Sequence, residues 1–171
     1  IRTPMNAILG MSHLLRRDAQ DPVAADRLDR VTGAAGHLLQ VLDDILDLSK
    51  IEAGKFELEQ VDFWLGDVLS RCRELVEEKA VAKGLTLEID AGGAPDALRG
   101  DPTRLSQALL NLLSNAVKFT EHGSVRLVVE VAGQGERGPW LRFRVIDTGI
   151  GIEADKLPGL FKAFAQADAS T

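Results

Sequence analysis

Apolar side chains recur in steps of three and four along the first 54 residues, which is the spacing of amphipathic helices. The steps run through residues 1–17 and again through residues 28–49, where a seven-residue repeat holds over three heptads. Between them, RRDAQDP combines basic residues that suit a helix C-terminus with an Asp21-Pro22 pair that suits a helix start. The pattern predicts two antiparallel helices joined by a short turn.

This hairpin cannot cover its own apolar stripe. The stripe on the second helix consists of Leu28, Val31, Ala35, Leu38, Leu42, Ile45 and Ser49. Pairing with a second copy would bury it in a four-helix bundle, whereas packing against the rest of the chain is the alternative. We favour a homodimer through residues 1–54.

The period of the pattern changes after Gly54, which has the position of a helix C-cap. Strands and helices then alternate, which predicts an α+β sandwich over residues 55–171. The predicted elements are a strand with one slip over 56–63, a helix over 65–83 ending at Gly84, strands over 85–90, 124–133 and 140–147, and a helix over 102–118 capped by Asp101. A short strand is expected within 91–102, and GQGERGP is expected to be a hairpin loop.

Composition narrows the class of protein. Apolar residues make up 45% of the 171, as in ordinary globular proteins, and the net charge of −6 argues against non-specific nucleic-acid binding. No apolar run approaches the ~20 residues of a membrane span, and no signal peptide is evident. The single Cys72 cannot form an internal disulfide. We expect a cytoplasmic excerpt of a longer protein, with any membrane attachment through other parts.

The helix over 102–118 carries a polar stripe. At 100° per residue, the stripe spans about 80° and consists of Arg104, Gln107, Asn111, Asn115 and Lys118. Leu105, Leu109, Leu112, Leu113 and Ala116 are expected on the opposite, sheet-facing side. A solvated face is one interpretation. A ligand site is the other, because Asn amide oxygens suit Mg²⁺ and a lysine can meet a phosphate.

Two further segments carry candidate chemistry. In RVIDTGIGI, a strand ends at Asp147, and Gly149 and Gly151 would allow close approach of the backbone to a ligand. The carboxylate could accept a hydrogen bond from an exocyclic amine such as that of adenine. An ordinary turn after a strand is the alternative, because it would have a similar sequence. In LFKAFAQAD, Phe161 and Phe164 have the spacing of a core pair.

Taken in this order, NLLSNAVKFT, DTGIGI and LFKAFAQAD resemble the N box, first glycine box and F box of the sensor histidine kinases of two-component signalling. IRTPMNAILGM resembles the tail of their phosphoacceptor box. The resemblance implies a dimerisation and phosphotransfer hairpin over 1–54 and an ATP-binding domain of the Bergerat fold over 55–171. The segments RTPMNAILGM and FAQADAST are similar to the corresponding segments of the hybrid kinases, which carry receiver domains elsewhere in their chains.

The resemblance also implies roles for single residues, with ATP and Mg²⁺ as cofactors. Asn115 would hold Mg²⁺ with Asn111 beside it, and Lys118 would contact phosphate. Asp147 would bind the adenine amino group, and Thr3 would place a water for dephosphorylation. The rest of the nucleotide pocket would comprise Phe119, Gly149, Gly151 and Ile152, with Phe161 and Phe164 anchoring a lid.

The implied reaction moves the γ-phosphoryl group of ATP to a histidine and then to an Asp of a receiver domain, in the same chain or a separate one. The acceptor would lie two residues before Ile1, and the second glycine box would lie after Thr171, so we expect the 171 residues alone to be inactive. None of His13, His37 and His122 is expected to replace the acceptor. The alternatives are another ATPase with this pocket, or a non-catalytic dimeric scaffold.

Overall fold

The computed structural model describes residues 2–19, 21–136 and 138–157. The chain divides after Glu57 into two compact units. The N-terminal unit is the predicted helical hairpin, with α1 (Arg2–Asp18) and α2 (Pro22–Glu52). Asp21 caps α2, since its carboxylate accepts from the amides of Val23 and Ala24 at 3.1 and 3.3 Å. Gly54 follows the last turn of α2 with a φ of 64°, the left-handed conformation expected at this position.

The hairpin buries little of its apolar surface on its own. Met5 and Ser12 of α1 and Ala35 of α2 are buried, and an exposed ion pair joins Arg16 to Asp29 at 2.9 Å. Large apolar side chains nevertheless remain exposed along both helices. They include Ile8, Met11, Leu14 and Leu15 of α1 and Val31, Leu38, Val41, Ile45 and Leu46 of α2.

The C-terminal unit is a sandwich of helices on sheet. Its elements are β1 (Val61–Trp64), α3 (Leu65–Ala82), β2 (Thr86–Asp90), β3 (Ala97–Gly100), α4 (Pro102–Phe119), β4 (Ser124–Gly135) and β5 (Gly138–Asp147). The main sheet has the order β2-β4-β5, in which β2 is parallel and β5 antiparallel to β4. A separate antiparallel pair joins β1 to β3.

The core lies between this main sheet and the apolar faces of α3 and α4. Alternate residues of β4 point into it, as period-two patterning requires. Its buried members are Leu65, Val68, Leu69, Cys72, Val76, Ala80, Leu85, Leu109, Leu113, Ala116, Val117, Val125, Leu127 and Val129. Within the described ranges, no helix combines the length and the apolar character needed to cross a bilayer.

Two predicted strand boundaries are wrong. β1 begins only at Val61, because β3 offers it four partners, and the amide of Glu59 bonds instead to the Asp101 carboxylate at 3.2 Å. The expected loop GQGERGP is largely strand, since β4 and β5 stay paired out to Gly135 and Gly138. A register shift between Val131 and Gly133 accommodates this extension.

One predicted core residue is wrong as well. Leu112 is 49% exposed, whereas Leu109 and Leu113 are buried. The buried face of α4 is centred between those two leucines, and at 100° per residue Leu112 lies about 80° away from that centre. It therefore borders the polar face of the helix.

Candidate functional site

The N-terminus of α4 is fixed by Asp101. Its carboxylate accepts from the amide of Arg104 at 2.9 Å and from the amide of Glu59 at 3.2 Å, while Pro102 occupies the first turn. The hydrogen bond from the Arg104 amide is the main reason why the pKa of Asp101 lies below its ordinary value. This cap sets where α4 starts.

The outward face of α4 presents Asn111, Asn115 and Lys118, which are all exposed and which we call the asparagine face. Neither asparagine amide has a hydrogen-bond partner among the described residues. Earlier on the stripe, Arg104 donates to Gln107 at 2.9 Å, so that part of the predicted polar stripe is already satisfied within the protein. Among the described residues, the polar side-chain groups of the C-terminal half of the stripe lack hydrogen-bond partners within the protein.

Lys118 lies at the end of this face. Its ammonium group is 5.0 Å from the centroid of the Phe119 ring, within the range of a cation–π contact. It forms no ion pair with any described residue. A cation with a half-exposed aromatic beside it can meet an anionic ligand as a point charge.

The second half of the site follows β5. Asp147 ends the strand, and one of its carboxylate oxygens accepts from the amide of Gly149 at 2.9 Å. The other oxygen has no protein partner within the described ranges. The exposed carboxylate is thus oriented by the backbone while keeping acceptor capacity for an amine.

A direct contact joins the two halves. We call residues 148–152 the glycine loop; the amide of Ile150 in this loop donates to the carbonyl of Phe119 at 3.3 Å. A Cβ atom on Gly149 would lie only 2.5 Å from that carbonyl oxygen, so the close approach requires glycine. Gly151 has a φ of 70°, which also favours glycine. The fold therefore brings the end of the asparagine helix against the loop that follows Asp147.

A further contact holding this loop was not predicted from the sequence. The Thr148 hydroxyl accepts from the amide of Ser124 at 3.0 Å and donates to the carbonyl of His122 at 3.2 Å. It leaves no room for a side chain at Gly123, where a Cβ would lie 2.2 Å from the hydroxyl oxygen. The sequence signal for this contact is the glycine directly before β4, Gly123, together with the threonine directly after β5, Thr148.

The sequence pattern does not predict the contacts of Lys83 either. Its ammonium group donates to the carbonyls of Val117 and Lys118 at 2.8 Å and of Thr120 at 3.2 Å. These carbonyls lie at the C-terminus of α4, beside the asparagine face. The exposed lysine after α3 gives no sign of this contact in the sequence pattern.

The other predicted residues are distributed as follows. Ile152 is exposed at the end of the glycine loop, and Thr3 is exposed on α1 in the N-terminal unit. Phe161 and Phe164 lie outside the described residues. Cys72 is fully buried, and this burial raises the pKa of its thiol, as expected for a residue of the core.

Metal binding at this site would depend on neutral oxygen ligands. The described residues contain no group of three or more His, Cys, Asp or Glu side chains arranged to hold a metal ion. The unpartnered amide oxygens of Asn111 and Asn115 fit Mg²⁺ bound partly by phosphate oxygens and water. Such a site would be completed by a nucleotide.

Comparison with known proteins agrees with this geometry. A family model described as histidine kinase-, DNA gyrase B- and HSP90-like ATPase matches residues 100–171, and one described as His Kinase A (phospho-acceptor) domain matches residues 1–54. The sequence is 43% identical over 171 residues to the sensor protein GacS of Pseudomonas syringae pv. syringae. This alignment covers 99% of the present chain and 19% of GacS.

Two other relatives support the same family. The signal transduction histidine-protein kinase BarA of Escherichia coli (strain K12) is 38% identical, over 99% of this chain and 19% of BarA. The crystal structure of full-length ShkA in complex with AMPPNP matches with a TM-score of 0.72 and 32% identity, covering 96% of this chain and 35% of ShkA. The chain spans about a fifth of the length of GacS and BarA.

Residues 100–171 thus match an ATPase domain of the class that histidine kinases share with DNA gyrase B and HSP90. It is preceded in the chain by a phospho-acceptor hairpin. The chain belongs to the sensor histidine kinases of two-component systems.

Proposed function

We propose that this chain is the catalytic core of a hybrid-type histidine kinase. Residues 1–54 form its dimerisation and phosphotransfer hairpin, and residues 55–171 belong to its ATP-binding domain. The enzyme transfers the γ-phosphoryl group of ATP to a histidine outside these residues. The observation that carries the proposal is the 3.3 Å contact between Ile150 and Phe119, which joins a face suited to phosphate and Mg²⁺ to a loop suited to adenine.

Each half of the site has a distinct part in binding ATP. The Asp147 carboxylate accepts from the exocyclic amine of adenine, while Gly149 and Gly151 keep side chains out of the path of the base. Asn115 and Asn111 would hold Mg²⁺ through their amide oxygens, and Lys118 contacts the phosphates. Phe119 and Ile152 contribute apolar surface beside the nucleotide.

The chemistry is an in-line phosphoryl transfer. A ring nitrogen of the acceptor histidine forms a bond to the γ-phosphorus as the bond to the bridging oxygen of ADP breaks. When bound, Mg²⁺ would neutralise charge on the phosphates, and Lys118 adds positive charge at the end of α4. The phosphoryl group then passes to an Asp of a receiver domain, in the same chain or another, and Thr3 places a water for dephosphorylation.

Dimerisation follows from the exposed apolar surface of the hairpin. Between the end of α1 and the start of α2 lies an open groove of about 480 Å³, lined by Leu15, Asp18, Ala19, Ala24, Arg27 and Leu28. Its largely aliphatic lining continues the exposed stripe of Val31, Leu38 and Ile45 on α2. A second hairpin would cover both and complete a four-helix bundle.

The surroundings of the site favour kinase over the related hydrolytic ATPases. Asn111 is a neutral amide at the position where a carboxylate that activates water would be expected.

We also propose a cytoplasmic location, with no nucleic-acid partner, in keeping with the net charge of −6.

Nucleotide binding tests the site directly. Asp147→Asn should lose most affinity for Mg·AMPPNP in calorimetric titration, because a charge-assisted hydrogen bond to adenine becomes a neutral one. Asp90→Asn is a matched control, since Asp90 also ends a strand and accepts from the amide of a glycine two residues on at 2.9 Å. Equal affinity for the two variants would refute the role of Asp147.

Phosphoryl transfer is tested in the full-length protein with radiolabelled ATP and Mg²⁺. Label that is labile in acid and stable in alkali is expected, as for phosphohistidine, and Asp147→Asn should lower its yield while Asp90→Asn should not. If nucleotide binds and no label forms, the non-catalytic scaffold is correct instead. Label that disappears with His13→Gln would show that His13 is the acceptor.

A further inference from the structure

The C-terminus of α4 is held by a side chain from another helix. The last carbonyls of a helix lack partners within it and carry the negative end of the helix dipole. Lys83, directly after α3, donates to three of the carbonyls there, those of Val117, Lys118 and Thr120. One ammonium group thus uses all three of its hydrogen atoms on the terminus that bears the asparagine face.

The residue between these acceptors is the one that contacts the glycine loop. The carbonyl of Phe119 accepts from the amide of Ile150, while the carbonyls on either side of it accept from Lys83. The same short stretch is therefore fixed by two sets of contacts, one from the lysine and one from the loop after Asp147. Its position determines how far Lys118 lies from Asp147.

We propose that Lys83 is a positioning residue for the nucleotide site. It touches no part of the proposed ligand and acts by holding the end of α4, so that Lys118 and Asp147 engage the two ends of one nucleotide. The inference rests on the proposed function for its effect on binding. Its effect on the backbone does not depend on that function.

Three variants of the full-length protein test this proposal. Lys83→Met keeps most of the aliphatic stem and removes the ammonium group, and Lys83→Arg keeps a positive charge with several donors. Lys79→Met is the matched control, because Lys79 is exposed one turn earlier on α3 and its side chain has no hydrogen bond or ion pair among the described residues. Each variant is titrated with Mg·AMPPNP and followed by amide hydrogen exchange.

Lys83→Met should weaken Mg·AMPPNP binding about five- to thirtyfold, which is the effect expected from losing one or two ordinary hydrogen bonds. Amide exchange should accelerate at Thr120 and Ile150 and stay slow in the centre of β4. Lys83→Arg should restore most of the affinity, and Lys79→Met should match the unaltered chain.

Two results would overturn the positioning role. One is unchanged affinity and unchanged exchange at Thr120 and Ile150 in Lys83→Met. The other is equal acceleration of exchange in the centre of β4, which would indicate a general loss of stability. Failure of the unaltered full-length protein to bind Mg·AMPPNP would refute the proposed function, and the exchange rates at Thr120 and Ile150 would then decide the structural part of the inference alone.

Discussion

The contact between α4 and the glycine loop makes Gly149→Ala a demanding test of the site. The added Cβ would lie 2.5 Å from the carbonyl oxygen of Phe119, where ordinary contacts begin at 3.4 Å, and 2.9 Å from the Asp147 carboxylate. The carbonyl belongs to the backbone at a helix end and cannot rotate away. The loop and the helix must therefore separate by up to 0.9 Å, or the added methyl group stays compressed.

This geometry sets the loss of stability expected for Gly149→Ala. Separation would lengthen the Ile150–Phe119 hydrogen bond, already 3.3 Å, to about 4 Å, where it no longer counts as one. Loss of this bond costs about 0.5–1.5 kcal/mol, whereas a methyl group that stays compressed costs about 1–3 kcal/mol. We expect the free energy of unfolding to fall by roughly 1–3 kcal/mol. The dissociation constant for Mg·AMPPNP should rise at least about tenfold because Asp147 is displaced.

Urea denaturation and calorimetric titration measure the two effects. Gly133→Ala is the control for stability, since a Cβ there meets nothing within 4 Å and the backbone is not left-handed; its free energy of unfolding should change by less than about 0.5 kcal/mol. Gly151→Ala separates strain from clash, because its Cβ also meets open space while its φ of 70° costs about 1–2 kcal/mol. A Gly149→Ala protein as stable as the Gly133→Ala protein, with unaltered affinity, would refute the reasoning.

Other changes probe the hairpin and the cap of α4. Leu42→Asp should convert the dimer to monomers in sedimentation, because a charge in the apolar seam is costly to bury; a mutant that stays dimeric would place the interface elsewhere. Asp101→Ala should lower the free energy of unfolding at pH 7 by about 1 kcal/mol through loss of the cap. Since folding lowers the pKa of Asp101, its contribution is present above the ordinary carboxyl pKa near 3.8 and is lost as pH falls through the lowered value. The stability difference between Asp101→Ala and the unaltered protein should therefore shrink in acid, and a constant difference from pH 7 to pH 2 would contradict this account.

The spacing of apolar residues predicted the helices and strands that have one apolar face. The helices α3 and α4 and the strand β4 each bury one face, so their apolar residues repeat at the period of the element. The hairpin helices α1 and α2 keep the same helical period in apolar residues that remain largely exposed. Asp21 and Asp101 were recognisable as caps because each precedes a proline in the first turn of a helix. These local signals do not depend on distant parts of the chain.

Errors arose where pairing rather than periodicity decides. The length of β1 is set by β3, and nothing between Phe56 and Gln60 indicates that the partner strand is so short. The extension of β4 and β5 depends on a register shift near Ala132, which permits glycine-rich segments to remain paired. Lys83 and Thr148 act through backbone carbonyls and amides of other elements, which no sequence pattern displays.

The contact between Phe119 and Ile150 also constrains how the binding site forms during folding. The two residues are separated in the chain by the whole of β4 and β5, so neither half of the pocket can acquire its geometry before that hairpin has formed. Ligand affinity then belongs to the folded unit alone, and nucleotide at a hundred times its dissociation constant would raise the free energy of unfolding by about 2.7 kcal/mol. Variants weakened anywhere in the core, far from the nucleotide, should regain thermal stability when Mg·AMPPNP is added. Their melting temperatures would thus serve as a measure of nucleotide occupancy.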